Sequence, residues 1–130
     1  MKMNPVVHFE MPAVNKKRVK KFYETAFGWR MDQLGAEMGH YLLATTTPID
    51  KNRMHKEKGA INGGFFQKPK EGKVPHLVIS VDNLTKHMGI VKKAGGKIKG
   101  KPMDIMGIGK FVMIKDSEGN NVGMLQPSGM

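Results

Sequence analysis

An internal repeat constrains the fold of this chain more than any other feature of its sequence. When His8 is placed over His76, an offset of 76 − 8 = 68 residues, Asn15 falls on Asn83. The same offset, without a gap, aligns further pairs of related character: Phe22 with Ile90, Tyr23 with Val91, Ala26 with Ala94 and Gly28 with Gly96. Each half reads as a short strand, a polar cap and a helix that ends at glycine. The chain is therefore predicted to fold as two copies of one unit.

The first copy is predicted to contain one strand, one helix and three more strands. In the strand at 5–11, His8 and Glu10 share one face, and Val7, Phe9 and Met11 share the other. Asn15 is the expected N-cap of a helix that ends at Gly28. An apolar stripe on this helix is expected to cover the sheet: Val19, Phe22, Tyr23, Ala26 and Phe27. Strands are expected at 29–34, 40–46 and 60–66, with a long loop at 47–59.

The second copy repeats that order. A strand is expected at 74–81, where His76, Val78 and Ser80 share one face. Asp82 or Asn83 is expected to cap a helix that Gly95 and Gly96 end. Strands are predicted at 97–101, 109–115 and 121–126, and residues 116–120 (DSEGN) are typical of a hairpin between the last two.

Several segments resemble the vicinal oxygen chelate superfamily, which includes glyoxalase I, bleomycin-resistance proteins, extradiol dioxygenases and fosfomycin-resistance enzymes. They are VHFEMP at 7–12, FY at 22–23, FGW at 27–29, AINGGF at 60–65, HLVISVDN at 76–83, AGGK at 94–97 and DSEGN at 116–120. The resemblance covers essentially the whole chain. It implies an α+β fold in which two βαβββ modules, at about 4–68 and 73–127 of one domain spanning 1–130, form a cup-shaped curved sheet, with a homodimer as the expected assembly.

The resemblance also raises the question of a metal. In the metal-dependent members, the first and last strands of each module supply four ligands, and the first-strand positions fall on His8 and His76. The last-strand positions fall on Asn62 and Gly123, which supply no carboxylate, although Glu10 lies on the face of His8 and could donate one. Catalytic sites usually need three protein ligands. The sequence therefore leaves the identity of the cofactor open. A divalent metal is the candidate, but its expected set of ligands is incomplete.

Two functions remain open at this level. In the first, the protein is a glyoxalase-like lyase or isomerase that acts on a small oxygenated substrate, with His8, Glu10 and His76 as the candidate catalytic residues. In the second, it is a non-catalytic protein of the bleomycin-resistance type that sequesters a drug or metabolite. The candidate ligand-binding residues are the same for both: Trp29, Asn62, Gly64, Phe66 and Gly123. His8 and His76 can also be read as histidines that line a cavity and bond to water or backbone.

The amino-acid composition limits the classes of partner that are expected. The formal net charge is +11, which fits a solvated basic surface, an anionic ligand or a nucleic acid, in that order of preference. The sequence has no cysteine, so no disulfide or thiolate site is expected. No apolar run reaches the roughly 20 residues of a membrane span. A cytoplasmic protein with a small-molecule ligand is expected, and neither a membrane nor a nucleic acid is the expected partner.

Overall fold

A computed structural model of the chain describes residues 2–48, 59–67 and 74–128. Most of the predicted loop at 47–59 lies outside the described residues. The chain divides into two compact units, which we call module one (His8–Pro75) and module two (Met1–Val7 with His76–Met130). Within module two, the N-terminal segment is bonded to the rest of the unit: Ser80 N donates to Pro5 O at 3.0 Å, and Lys2 Nζ lies 2.9 Å from Asp82 Oδ1.

Module one has the predicted order of strand, helix and three strands. Its elements are β1 (Val6–Ala13, which begins in the N-terminal segment), α1 (Lys16–Phe27), β2 (Arg30–Gln33), a 3₁₀ turn (Ala36–Met38), β3 (Leu42–Thr45) and β4 (Asn62–Gln67). The strands lie in the order β2-β3-β4-β1, with β1 parallel to β4 and the other pairs antiparallel.

Module two repeats this arrangement. Its elements are β5 (His76–Ser80), α2 (Leu84–Lys93), β6 (Lys97–Ile105), β7 (Gly109–Lys115) and β8 (Asn121–Pro127). The order is β5-β8-β7-β6, again with the first strand parallel to the last. The predicted α+β class and the two βαβββ modules are therefore confirmed.

The two helices begin and end for local reasons. The Oδ1 atoms of Asn15 and Asn83 accept hydrogen bonds from the backbone N–H three residues on, at 2.9 and 3.0 Å, which is the N-cap bond. Gly28 ends α1 with φ 70°, a left-handed conformation that glycine adopts without strain. These capping predictions are confirmed.

Each helix covers one face of the sheet in its own module. In module one the core contains Met31, Leu42, Ala44 and Phe65, packed with side chains of α1 and β1. In module two it contains Leu84, Val112, Ile114 and Met124. We call the opposite face of each sheet its far face.

The predicted stripe on α1 is only partly correct. Val19 and Tyr23 pack into the core, but the side chains of Phe22 and Phe27 are 55% and 63% exposed. On a 3.6-residue helix Phe22 lies at the margin of the stripe centred on Val19 and Tyr23, and Phe27 is the last helical residue.

No helix among the described residues is long and apolar enough to cross a membrane.

Candidate functional site

The far face of module one carries the predicted pair of His8 and Glu10. Their neighbours along β1, Phe9 and Met11, pack into the core beneath α1. Because successive side chains of a strand point to opposite faces, His8 and Glu10 point away from α1. The predicted division of this strand into two faces is confirmed.

Strand β4 continues the far face beside these residues. The parallel register places His8 beside Asn62 and Glu10 beside Gly64, and partners in a parallel pair share a face. Phe66, two residues on from Gly64, lies on that face as well. Four predicted site residues of module one therefore lie on the far face together with His8: Glu10, Asn62, Gly64 and Phe66.

Tyr41, which the sequence analysis did not single out, connects the pair. Its hydroxyl oxygen lies 2.9 Å from Nε2 of His8. Burial, then the charge of Glu10 and a hydrogen bond with the Glu10 side chain, raise the pKa of Tyr41 well above the ordinary value of a phenol. The phenol is therefore protonated at neutral pH and stands between an imidazole and a carboxyl group.

The turn between β2 and β3 fixes the position of Tyr41. Its backbone oxygen accepts from Leu34 N at 2.9 Å, and its N–H donates to Met38 O at 3.2 Å. The Tyr41 ring packs directly against Gly64. A Cβ atom added at Gly64 would overlap the ring atoms of Tyr41. A glycine at this position is therefore required for the tyrosine to reach His8 and Glu10.

The phenol of Tyr41 is shared between two neighbours. Its hydroxyl oxygen and Nε2 of His8 are 2.9 Å apart, and the tautomer of His8 decides which of the two donates. Because a phenol has a single proton, Tyr41 can donate to only one of its two partners, His8 or Glu10.

Asn62 has a structural bond that accounts for its amide oxygen. Its Oδ1 accepts from Thr46 N at 2.8 Å and from Thr46 Oγ1 at 3.3 Å. The residue thereby links the start of β4 to the end of β3. Its predicted role in ligand binding stays a prediction.

Trp29 lies apart from these groups. Its ring stacks on Tyr23 with centroids 4.6 Å apart and packs against the core of module one. The predicted role of Trp29 in ligand binding stays a prediction.

Module two has an apolar counterpart of the same arrangement. Val78 pairs with Gly123 as Glu10 pairs with Gly64, and the ring of Phe111 lies over Gly123, 2.7 Å from where a Cβ would stand. His76 lies on the face of Val78 and is partly buried. Val78 and Phe111 take the positions that Glu10 and Tyr41 have in module one. The network of polar side chains is therefore a feature of module one.

The donors around His8 do not fit the four-ligand metal site that the resemblance implies. Nε2 of His8 is held by Tyr41, and Oδ1 of Asn62 is held by Thr46. Among residues 2–48, 59–67 and 74–128, no group of three or more His, Cys, Asp or Glu side chains is placed to hold a metal ion. The metal role of His8 and His76 stays a prediction, and the chemistry proposed below uses the side chains alone.

Comparison with known proteins places the chain in a family. The model of the Glyoxalase/Bleomycin resistance protein/Dioxygenase superfamily matches residues 6–124. The chain belongs to this superfamily. No curated protein matches the sequence.

Solved structures share the fold at low sequence identity. A hypothetical protein from Bacillus halodurans C-125 superposes with a TM-score of 0.70 at 14% identity, covering 99% of this chain and 98% of that one. A Streptomyces coelicolor methylmalonyl-CoA epimerase variant, in complex with 2-nitronate-propionyl-CoA, gives 0.68 at 9%, covering 98% and 100%. The Mycobacterium tuberculosis methylmalonyl-CoA epimerase gives 0.65 at 11%, covering 95% and 88%. These likenesses show the fold alone.

Proposed function

We propose that this superfamily member is an isomerase or lyase that moves a proton on a small oxygenated substrate, with His8 and Glu10 as its acid–base pair. The observation that supports this most directly is the link through Tyr41, which holds an imidazole and a carboxyl group on one face of module one. General acid–base catalysis requires such groups to be positioned before the substrate arrives.

The proposed chemistry is a proton transfer at a carbon next to a carbonyl group. Glu10 takes the proton as the C–H bond breaks, and the electron pair passes to the substrate oxygen to give an enolate. Return of a proton to carbon restores both the carbonyl and the carboxylate, so the reaction needs no oxidant or reductant. Tyr41 acts as a positioning residue that orients the two groups.

The similar solved structures agree with this class of reaction. Two of them are methylmalonyl-CoA epimerases, and epimerisation at such a carbon requires a proton to leave and return. At 9% and 11% identity they show a shared fold on which this class of reaction occurs, and the proposal for this chain rests on His8 and Glu10.

A second candidate is the binding protein of the bleomycin-resistance type. The observation that favours it is the far face of module two, where the partly buried ring of Phe111 packs over the buried Gly123 and Val78 in place of the polar network of module one. Such a surface can hold a ligand without transforming it.

The test is proton exchange with solvent. A panel of small carbonyl compounds and acyl thioesters, methylmalonyl-CoA among them, is incubated with the protein in D₂O, and loss of the α-proton signal is followed by NMR. We expect exchange of at least one compound, reduced by about 100-fold or more in Glu10→Gln, since removal of a general base has effects of that order.

The matched control is Glu24→Gln. Glu24 lies on α1, where it forms an ion pair with Lys20 at 3.4 Å, and the same loss of charge there should leave the exchange rate unchanged. If Glu10→Gln exchanges protons as fast as the parent protein, the catalytic proposal is wrong. Tight binding of a panel member without any exchange would favour the sequestering protein instead.

A further inference from the structure

Three lysines share one end of the far face of module two. Lys97 pairs with Lys115, and the next residues, Ile98 and Ile114, pair beneath α2 in the core. Because side chains alternate along a strand, Lys97 and Lys115 point to the far face. Lys99 lies on this face too, and its Nζ donates to Asn121 Oδ1 at 3.3 Å.

Two of these lysines, Lys97 and Lys115, lie directly opposite each other on neighbouring strands. Like charges directly opposite each other destabilise an antiparallel pair. Among the described residues, no carboxylate lies within ion-pair distance of these three lysines. Asp116 follows Lys115 in sequence, but its oxygens accept hydrogen bonds from the backbone N–H groups of Glu118 and Asn120 within the turn.

Lys110 shows the contrasting arrangement on the same strand. It pairs with Asp104, so an opposite charge faces it directly. Gln126, which also pairs with Lys110, accepts from the first N–H of α2 through its side chain at 2.8 Å, which places Lys110 on the helix side of the sheet. Between these two strands a lysine is therefore opposite a lysine on the far face and opposite an aspartate on the helix side.

An apolar surface adjoins the lysines on that face. Met113 pairs with Lys99 on one side and with Gly123 on the other. The ring of Phe111, two residues further along β7, packs over Gly123 close to Val78. From Lys115 to Phe111 the strand spans four residues, or about 13 Å, which is the length available to the apolar part of a ligand.

We propose that the far face of module two binds a small amphipathic anion, a carboxylate with an apolar body. The carboxylate lies among Lys97, Lys99 and Lys115 and places a negative charge between them, while the apolar body covers Met113 and Phe111. This inference rests on the second candidate function, to which it adds the chemical class of the ligand, and it requires no turnover. A failure of the proton-exchange test would leave it standing.

The experiment uses octanoate as the probe, with acetate and 1-octanol as controls for the two parts of the ligand. The full-length ¹⁵N-labelled protein is titrated at low salt and followed by NMR. Octanoate should shift the amide signals of Lys115, Met113 and Phe111 in a saturable manner. Acetate lacks the apolar body and octanol lacks the charge, so both should bind at least about fivefold more weakly, the factor that corresponds to about 1 kcal/mol.

The matched variants are Lys115→Gln and Lys110→Gln. They remove the same charge from the same strand, on its far face and on its helix side respectively. We expect the Kd for octanoate to rise about fivefold in Lys115→Gln and to stay within twofold of the parent value in Lys110→Gln. Since both lysines lie on a sheet surface, the thermal unfolding of each variant provides the check that it is folded.

Several outcomes would overturn the proposal. Equal binding of octanol and octanoate would show that the lysines take no part. Equal losses in the two glutamine variants would show that octanoate responds to net charge alone. Binding to vesicles containing an anionic phospholipid, or to a single-stranded oligonucleotide, without saturable binding of octanoate would assign the surface to a different class of partner.

Discussion

Replacing Gly64 with alanine should detach Tyr41 from His8 and Glu10. The new Cβ would stand among the Tyr41 ring atoms, far inside the 3.0 Å below which real Cβ contacts essentially never occur. Gly64 pairs with Glu10 on one side and with Leu43 on the other. Because the strand is held on both sides, the tyrosine ring is the part that must move.

The size of the effect follows from that displacement. The nearest ring atom lies 2.0 Å from the new Cβ position, so the ring has to shift by about 1.5 Å or more to reach an ordinary carbon–carbon separation of about 3.5 Å. The hydrogen bond between Tyr41 and His8, now 2.9 Å, is then lost. Overpacking costs about 1–3 kcal/mol and the lost hydrogen bond about 1 kcal/mol, so we expect the free energy of unfolding to fall by about 2–4 kcal/mol.

The assay reads the tyrosine directly. The chain has two tyrosines, so a Tyr23→Phe background leaves Tyr41 as the only one. Absorbance of the tyrosinate is followed against pH while circular dichroism reports folding. In the background protein no tyrosinate should form near pH 10, the ordinary pKa of tyrosine, because the pKa of Tyr41 is raised. In Gly64→Ala the displaced ring should ionise closer to pH 10, with urea unfolding giving the loss of stability.

Gly63→Ala is the matched control. Gly63 precedes Gly64 in β4 and faces the core, where a Cβ would lie 2.5 Å from the ring of Phe9. This variant should also be destabilised by overpacking, but the ionisation of Tyr41 should not change. If both alanine variants leave the tyrosine titration as it was, or both shift it equally, the far-face network described for module one is incorrect.

Three further predictions concern stability, and urea unfolding checks each of them. Between pH 10 and 11 the unfolded chain loses the proton of Tyr41 while the folded protein keeps it. The free energy of unfolding should therefore fall by about 1 kcal/mol more in the parent protein than in Tyr41→Phe. An equal fall in the two proteins would contradict this prediction. Asn15→Ala should cost about 1 kcal/mol through loss of the N-cap bond, whereas Asn15→Asp should cost much less. Gly28→Ala should destabilise the protein because φ is 70° there. Gly89 lies within α2 with open space around it, so Gly89→Ala should stabilise the protein by about 0.5–1 kcal/mol. A change in stability of the same sign in both variants would refute the assignment of the cap.

Much of the fold could be predicted because its signals are local or repeated. The caps at Asn15 and Asn83 depend on bonds within a few residues, and the alternation in β1 depends only on the pleat of a strand. Strand ends were less accurate. The strand expected at 97–101 continues to Ile105, past an irregularity between Lys99 and Met103 that breaks the alternation.

The site was predicted only in part. His8 and Glu10 were recognisable because two residues apart on a strand means one face. Tyr41 was missed, because it precedes β3 and reaches His8 across a sequence separation of 33 residues. Strand register shows an equivalence that the sequence repeat does not: Leu43 pairs with Gly64 as Met113 pairs with Gly123, so Tyr41 and Phe111 occupy equivalent positions two residues earlier. Their separation of 111 − 41 = 70 residues differs from the repeat offset of 68.

The sequence by itself determined the duplicated βαβββ order, the ends of the helices and the face on which His8 and Glu10 lie. Each depends on the backbone period or on bonds between near neighbours. Only the tertiary structure decided that Tyr41 joins those two groups and that Lys97 lies opposite Lys115. Both facts depend on strand register, which brings together residues that are distant along the chain, and one residue of slip would turn their side chains to the other face.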